Sequence, residues 1–400
     1  MRSKRIKADP AINRITSIDF LRGLVMVIMA LDHVRMYFGQ GTWYSSPTNL
    51  ATTTPLLFFT RWITHFCAPV FVFLAGTSAY LYGVKMGNVR QTAWFLFTRG
   101  LWLVVVEVVI VTFGWTFDTT YTFLILQVIW AIGISMIVLA ALVFLPTPVI
   151  VLIGVALVFG HNLLDPISVQ GTDFTDILWY ILHQPQLVLL QERTVSIFYP
   201  VMPWLGLMAL GYACGRLFQP DFPAVKRTLW LLGLGMGATL LFLLLRQANS
   251  YGEPVPWRPM DTRIFTLISF LNTTKYPPSL HFILMTIGPA LIFLSLIEHA
   301  RPKSSHLLVV FGKVPFFFYV LHIYFIHILA LLALEFTGRD WWEYILSAGN
   351  FLTGSLDRFG FGLGVVYVIW AVVIVALYPL CRWYQKVRER HPTWSWLRYL

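Results

Sequence analysis

The chain has 400 residues, of which 58% are hydrophobic and 12% charged, with a formal net charge of +11 and a mean hydropathy of +0.71. A soluble globular domain carries about 25% charged residues, so the composition excludes that class and describes a polytopic membrane protein. Three cysteines, Cys67, Cys214 and Cys381, sit in or at the ends of apolar segments without paired spacing, so neither a disulfide nor a metal site is expected.

In chain order, windows of about 19 residues predict ten spans, at 18–38, 56–82, 94–113, 121–145, 147–163, 195–218, 227–246, 278–297, 314–335 and 361–381. The fold class is therefore all-α, with both termini cytoplasmic. A basic cytoplasmic leader covers 1–17, the membrane domain 18–385, and an interfacial tail rich in Trp and Tyr 386–400. Alternating the spans from a cytoplasmic N-terminus puts nineteen Lys and Arg inside, seven outside and three (Arg22, Arg35, Arg61) in spans. That distribution satisfies the positive-inside rule, so the basic excess reports topology and not a nucleic-acid partner. The inner connections are short, whereas 164–194, 247–277 and 336–360 are long outer loops, the kind that act as lids or binding loops.

The first span is the most informative. It carries Asp19, Arg22, Asp32, His33 and Arg35, and ionisable groups at membrane depth mark functional sites because they are costly unless paired or facing a polar cavity. Arg22, Met26, Met29 and His33 share one helical face. Asp19 can pair with Arg22, and Asp32 with Arg35, at i,i+3, which leaves His33 available. In the second span Arg61 and His65 share a face. Lys275 and His281 stand at the outer rim of the eighth, and the ninth carries His322 near the midplane and His327 further out. Glu107 in the third span has no evident partner. Runs such as Ala75-Gly-Thr-Ser-Ala79 and Gly233-Leu-Gly-Met-Gly237 suit close helix packing.

Arg14-Ile-Thr-Ser-Ile-Asp-Phe-Leu-Arg-Gly23 resembles the R-x-x-S-x-D-x-x-R-G opening of the heparan-alpha-glucosaminide N-acetyltransferase catalytic family and its bacterial relatives. Further similar stretches are Met29-Ala-Leu-Asp-His-Val-Arg35, the segment Phe59 to Ser78, Lys275-Tyr-Pro-Pro-Ser279 and Gly312 to His322. The resemblance implies a transmembrane acyltransferase that takes acetyl-CoA from the cytosol and acylates an acceptor across the bilayer. It also implies a bacterial inner-membrane location and a possible homodimer. Asp19, Arg22 and Gly23 match the family opening, and His322 matches a histidine near the end of the family domain. The family's catalytic histidine lies in the loop after its first helix. Here no histidine falls between Gly39 and Thr64, so His33 or His65 has to take that part.

That chemistry needs a cationic inner mouth for nucleotide phosphates, a polar path, and a base where thioester and acceptor meet. The expected catalytic set is His33, His65, His322 and Asp32. Substrate or donor contacts are expected from Asp19, Arg22, Arg35, Arg61, Arg99, Lys275, His281 and His327, with no metal, and with the bilayer and a small-molecule or glycan acceptor as partners. A rival reading is a transporter or flippase with the same groups along a proton or substrate path. It predicts inverted repeats and paired broken helices, which the sequence does not display.

Overall fold

The structure, a computed structural model, describes residues 15–400 apart from 44, 301, 304, 354–358, 392, 395, 396 and 398–400, with backbone alone at 351–353. The basic leader through Arg14 and most of the expected tail anchor lie outside the described residues. In chain order the helices of the bundle are α1 (Thr16–Phe38), α2 (Pro55–Met86), α3 (Val89–Thr116), α4 (Val128–Leu142), α5 (Thr147–Leu164), α6 (Val201–Phe218), α7 (Ala224–Ala248), α8 (Leu280–Ala300), α9 (Pro315–Phe336) and α10 (Leu363–Arg390). All but α1 and α4 are long and apolar enough to cross a bilayer.

Helix α1 is the inner post. It packs against α2, α8, α9, α10 and a short helix, Leu307–Lys313. The crossing with that short helix depends on glycine. A Cβ at Gly23 would sit 1.7 Å from the Leu308 carbonyl oxygen, and one at Gly312 would sit 1.7 Å from that of Asp19. Any larger residue would force the backbones apart. The charges that make α1 unusual also suit its ends, with Asp19 in the first turn and Arg35 in the last, each opposing the helix dipole.

Three departures from regular helix shape the interior. Thr54 caps the start of α2, accepting from the Leu57 amide at 3.3 Å, but the helix tightens to a 3-10 turn at Thr64–Phe66. Pro69 lacks the N–H that would reach back to the His65 carbonyl, so the ladder is redrawn there. In α3 the five residues Glu107–Val111 form a π turn, a distortion often found at functional sites. The third is α4, whose 15 residues rise about 22 Å, short of the ~30 Å apolar core. The outer remainder of the predicted span 121–145 is strand β1 (Phe123–Leu126).

That strand belongs to a small outer sheet absent from the all-helical reading. β1 pairs in parallel with β3 (Arg193–Ile197), which pairs antiparallel with β2 (Gln186–Leu190). The predicted span 195–218 thus begins as strand, and its helix starts only at Val201. The sheet seats Leu126, Val188 and Ile197 on Tyr180. At the other end α10 continues as helix to Arg390, past the boundary expected at 385. Of the three glycines from Gly233 to Gly237 only Gly235 meets a neighbour, at the Gly288 carbonyl of α8.

Candidate active site

Two polar spaces lie along α1, one above the other. The outer is a chamber of about 30 Å³ lined by Met29, Asp32, His33, Thr64, Cys67, Ala68, Phe71, Gln127, Val128, Tyr199, Lys275 and Tyr319. The inner is a vestibule of about 560 Å³ whose lining includes Arg22, Met26, Ser78, Arg99, Lys313 and Arg388. Phe71, Val128 and Tyr319 line both, so these side chains form the partition between them.

His33 is half-buried on the chamber wall, with Nδ1 2.7 Å from Nε2 of His322. The fully buried His322 has its own Nδ1 3.0 Å from the Phe318 carbonyl, four residues back on α9. A carbonyl only accepts, so His322 Nδ1 carries the proton and, in the neutral ring, Nε2 carries the lone pair. His33 Nδ1–H must then donate to it. The chain of bonds leaves His33 Nε2 as an unprotonated nitrogen, the form a general base needs. The tautomers follow from the partners, since protons are placed by the hydrogen-bond network. Trp115 meets the His33 ring edge-on at 4.8 Å, and the His322 ring lies nearly coplanar beside it with centroids 4.9 Å apart, so the ring has little freedom to turn.

Beside it, Asp32 accepts from Arg35 at 2.9 Å through Nη2 and at 3.3 Å through Nε, and from Arg61 Nη1 through its other oxygen. Arg61 also donates to the Thr64 hydroxyl at 3.0 Å, tying α1 to the 3-10 turn of α2. The i,i+3 pairing of Asp32 with Arg35 is as expected from spacing. The second cation, Arg61, comes from another helix. One carboxylate between two guanidiniums leaves net positive charge at the chamber wall, in a site where charges are weakly screened.

The vestibule is cationic in a different way. Arg22 reaches Asp19 at 3.2 Å, the Gly312 carbonyl at 3.2 Å and the Ser78 hydroxyl at 3.0 Å. Arg99 lies over the Phe316 ring at 5.3 Å. Lys313 is 3.8 Å from Glu389, and Arg388 lines the space from the C-terminal turns of α10. No acid is among the described residues lining this space, and the rest of its wall is largely apolar.

Other candidates sit elsewhere. His65 is buried against Phe282 at 5.3 Å and does not line the chamber, because the 3-10 turn rotates it toward α8 while presenting Thr64 and Cys67. His281 is buried at the outer start of α8, 6.1 Å from the Phe242 ring, and His327 is held between the Gly114 and Tyr344 carbonyls, each at 3.0 Å. Neither lines the chamber or the vestibule. Arg35 and Arg61 stand behind Asp32 and off the lining. Glu107 accepts from the Gln127 amide at 2.9 Å at the start of α4, and so serves a helix end and no arginine.

Sequence reasoning missed Gln127, Tyr199 and Trp115, which bound the chamber or His33, and Arg388. Gln127 is a lone polar residue in an apolar run, a signal that was present. Arg388 was hidden among tail charges.

The family model described as heparan-alpha-glucosaminide N-acetyltransferase, catalytic, matches residues 14–247, more than half of the chain. Asp32 and His33 lie within that match, while Lys275 and His322 lie beyond it. No curated protein matches the chain at a significant level.

Proposed function

Since the chain belongs to the heparan-alpha-glucosaminide N-acetyltransferase catalytic family, we propose that this membrane acetyltransferase takes its acetyl group from cytosolic acetyl-CoA. The acceptor is an amine or hydroxyl, most simply of a sugar, that arrives from the other side of a bacterial cytoplasmic membrane. The observation that carries the reading is the Phe318–His322–His33 relay, which turns an unprotonated His33 Nε2 into a chamber separated from a cationic vestibule only by Phe71, Val128 and Tyr319.

The vestibule suits the donor. Four cations and no acid among the described lining residues favour nucleotide phosphates, which guanidinium and ammonium groups recognise by charge. The distance along α1 from Arg22 to His33, 11 residues or about 16 Å, is within reach of an extended pantetheine arm. The thioester would pass the partition and meet the acceptor at His33. The acceptor's proton goes to His33 Nε2 as its nitrogen or oxygen bonds to the acyl carbon. The same proton then leaves with the sulfur when the carbon–sulfur bond breaks. His322 keeps the tautomer correct and shares the positive charge, while Asp32 orients the adjacent turn of α1 through Arg35 and Arg61.

The test is acyl transfer from labelled acetyl-CoA by the purified chain in vesicles loaded with glucosamine or another amino or hydroxy sugar. Label should appear on the enclosed acceptor and vanish in His33→Ala. Solute flux independent of CoA, with no labelled product, would replace the enzyme by a carrier.

A further inference from the structure

His33 supplies a base, but acyl transfer also builds negative charge on the thioester oxygen, and nothing assigned so far meets it. We propose that Lys275 is a catalytic residue, whose ammonium group stabilises that oxyanion from the wall of the chamber it shares with His33. The proposal rests on the acyltransferase reading and adds a second reacting group to it.

Lys275 is the one cationic side chain, histidine aside, among the described residues lining the chamber. No carboxylate is bonded to it there among the described residues. Among the described residues it forms no ion pair, and Asp32, the acid whose field it shares, has both oxygens taken by Arg35 and Arg61. What holds the ammonium instead are two neutral tyrosines, Tyr276, whose ring centroid is 5.0 Å away and whose side chain it also hydrogen-bonds, and Tyr199, with its centroid at 5.8 Å. Aromatic faces position a cation without neutralising it. Thr64, another chamber-lining group, spends its hydroxyl on the Arg61 carbonyl at 2.7 Å.

The backbone carrying Lys275 is braced more heavily than an ordinary outer loop. Glu253 accepts from the Thr274 amide at 3.0 Å, the Thr274 hydroxyl at 2.5 Å and the Ser279 hydroxyl at 2.6 Å, so one carboxylate grips both ends of the turn. The Ser279 amide closes back on the Thr274 carbonyl at 2.9 Å. From α5, His161 Nε2 meets the Pro278 carbonyl at 2.9 Å and Asn162 accepts from the Leu280 amide at 3.0 Å. A stabilising charge acts through preorganisation, and this bracing keeps the residue in place before substrate arrives. Glu253 is a positioning residue in this scheme.

The step balances. The acceptor's lone pair bonds to the acyl carbon, the carbonyl π pair moves to oxygen opposite Lys275, and the acceptor's proton passes to His33. When the carbonyl re-forms, the carbon–sulfur bond breaks and the sulfur takes the proton from His33 Nε2. Lys275 keeps its own protons throughout.

The test uses binding, because it needs no acceptor. Carboxymethyl-CoA carries a full negative charge where acetyl-CoA has its acyl group, and its affinity for the purified full chain is compared with that of acetyl-CoA. Lys275→Met should weaken carboxymethyl-CoA at least tenfold while changing acetyl-CoA less than twofold, and Lys275→Arg should restore most of the difference. Equal weakening of both ligands, or no weakening of either, overturns the assignment while leaving the acyltransferase intact. Failure of the wild-type chain to bind either thioether or thioester overturns both. If Lys275→Met does not fold, Lys275→Gln carries the same comparison.

Discussion

The vestibule and the chamber are both spaces cut into an apolar bundle with charged groups on their walls, yet they are built on opposite plans. The vestibule is about 560 Å³ and is lined by long cationic side chains on separate elements, with no lining acid among the described residues. The chamber is about 30 Å³, and His33, Asp32 and Thr64 on its wall are each held at hydrogen-bond distance by groups behind the wall. Charge at long range suffices to attract a polyphosphate and tolerates ångström errors. Proton transfer does not tolerate them. The contrast separates a region that recruits from a region that reacts, and it can be broken at either end.

The largest effect is expected at the chamber. His33→Ala removes the base and should lower kcat for acyl transfer by about 10²–10⁴-fold, with acetyl-CoA binding unchanged. A rise in KM with kcat unchanged would place His33 with the recruiting region. His322→Ala comes next. It removes the acceptor that fixes the His33 tautomer, so kcat should fall on the order of tenfold to a hundredfold, less than direct loss of the base. Activity indifferent to His322→Ala would mean that His33 needs no relay.

How much of this was legible follows the same divide. Eight of the ten predicted spans were readable because lipid demands long apolar helices whose backbone bonds close on themselves. The pairs Asp19–Arg22 and Asp32–Arg35 were readable because i,i+3 spacing on a helix brings side chains together without help from the rest of the fold. His33 and His322 were both singled out by depth, but their contact depends on how α1 and α9 rotate against each other, which no single-helix period encodes. His65 fails for a local reason: Pro69 tightens the backbone just where a regular helix would have kept Arg61 and His65 on one face. The outer sheet was hidden because Phe123–Leu126 and Arg193–Ile197 are short apolar runs abutting helices, and such runs look alike in strand and helix.

At the vestibule the expected changes are smaller and of another kind. Arg99→Gln or Arg388→Gln should raise KM for acetyl-CoA about tenfold at low salt and leave kcat within about twofold, since each removes one charge from a group of four. The penalty should shrink as ionic strength rises and screening shortens the reach of the remaining cations. A kcat effect that persists at high salt would instead tie these residues to the chemistry and erase the distinction between the two spaces.

The smallest effect sharpens the comparison from outside the bilayer. Glu253 braces the chamber's Lys275 turn with neutral donors only. Burial pushes its carboxyl above the usual carboxylate range, and the Ser279 and Thr274 hydrogen bonds pull it back without cancelling the rise. A group whose folded value is raised contributes stability that is fully present below its unfolded value and is lost as pH climbs through the folded one. The difference in melting temperature between wild type and Glu253→Gln should therefore move against the wild type by roughly 1–3 °C as pH rises from the acid side toward neutrality. A difference that moves the other way would mean the ionised carboxylate is the favoured form, held by a cation. The chamber's outer support would then follow the same charge-paired plan as Asp32 and no longer contrast with it.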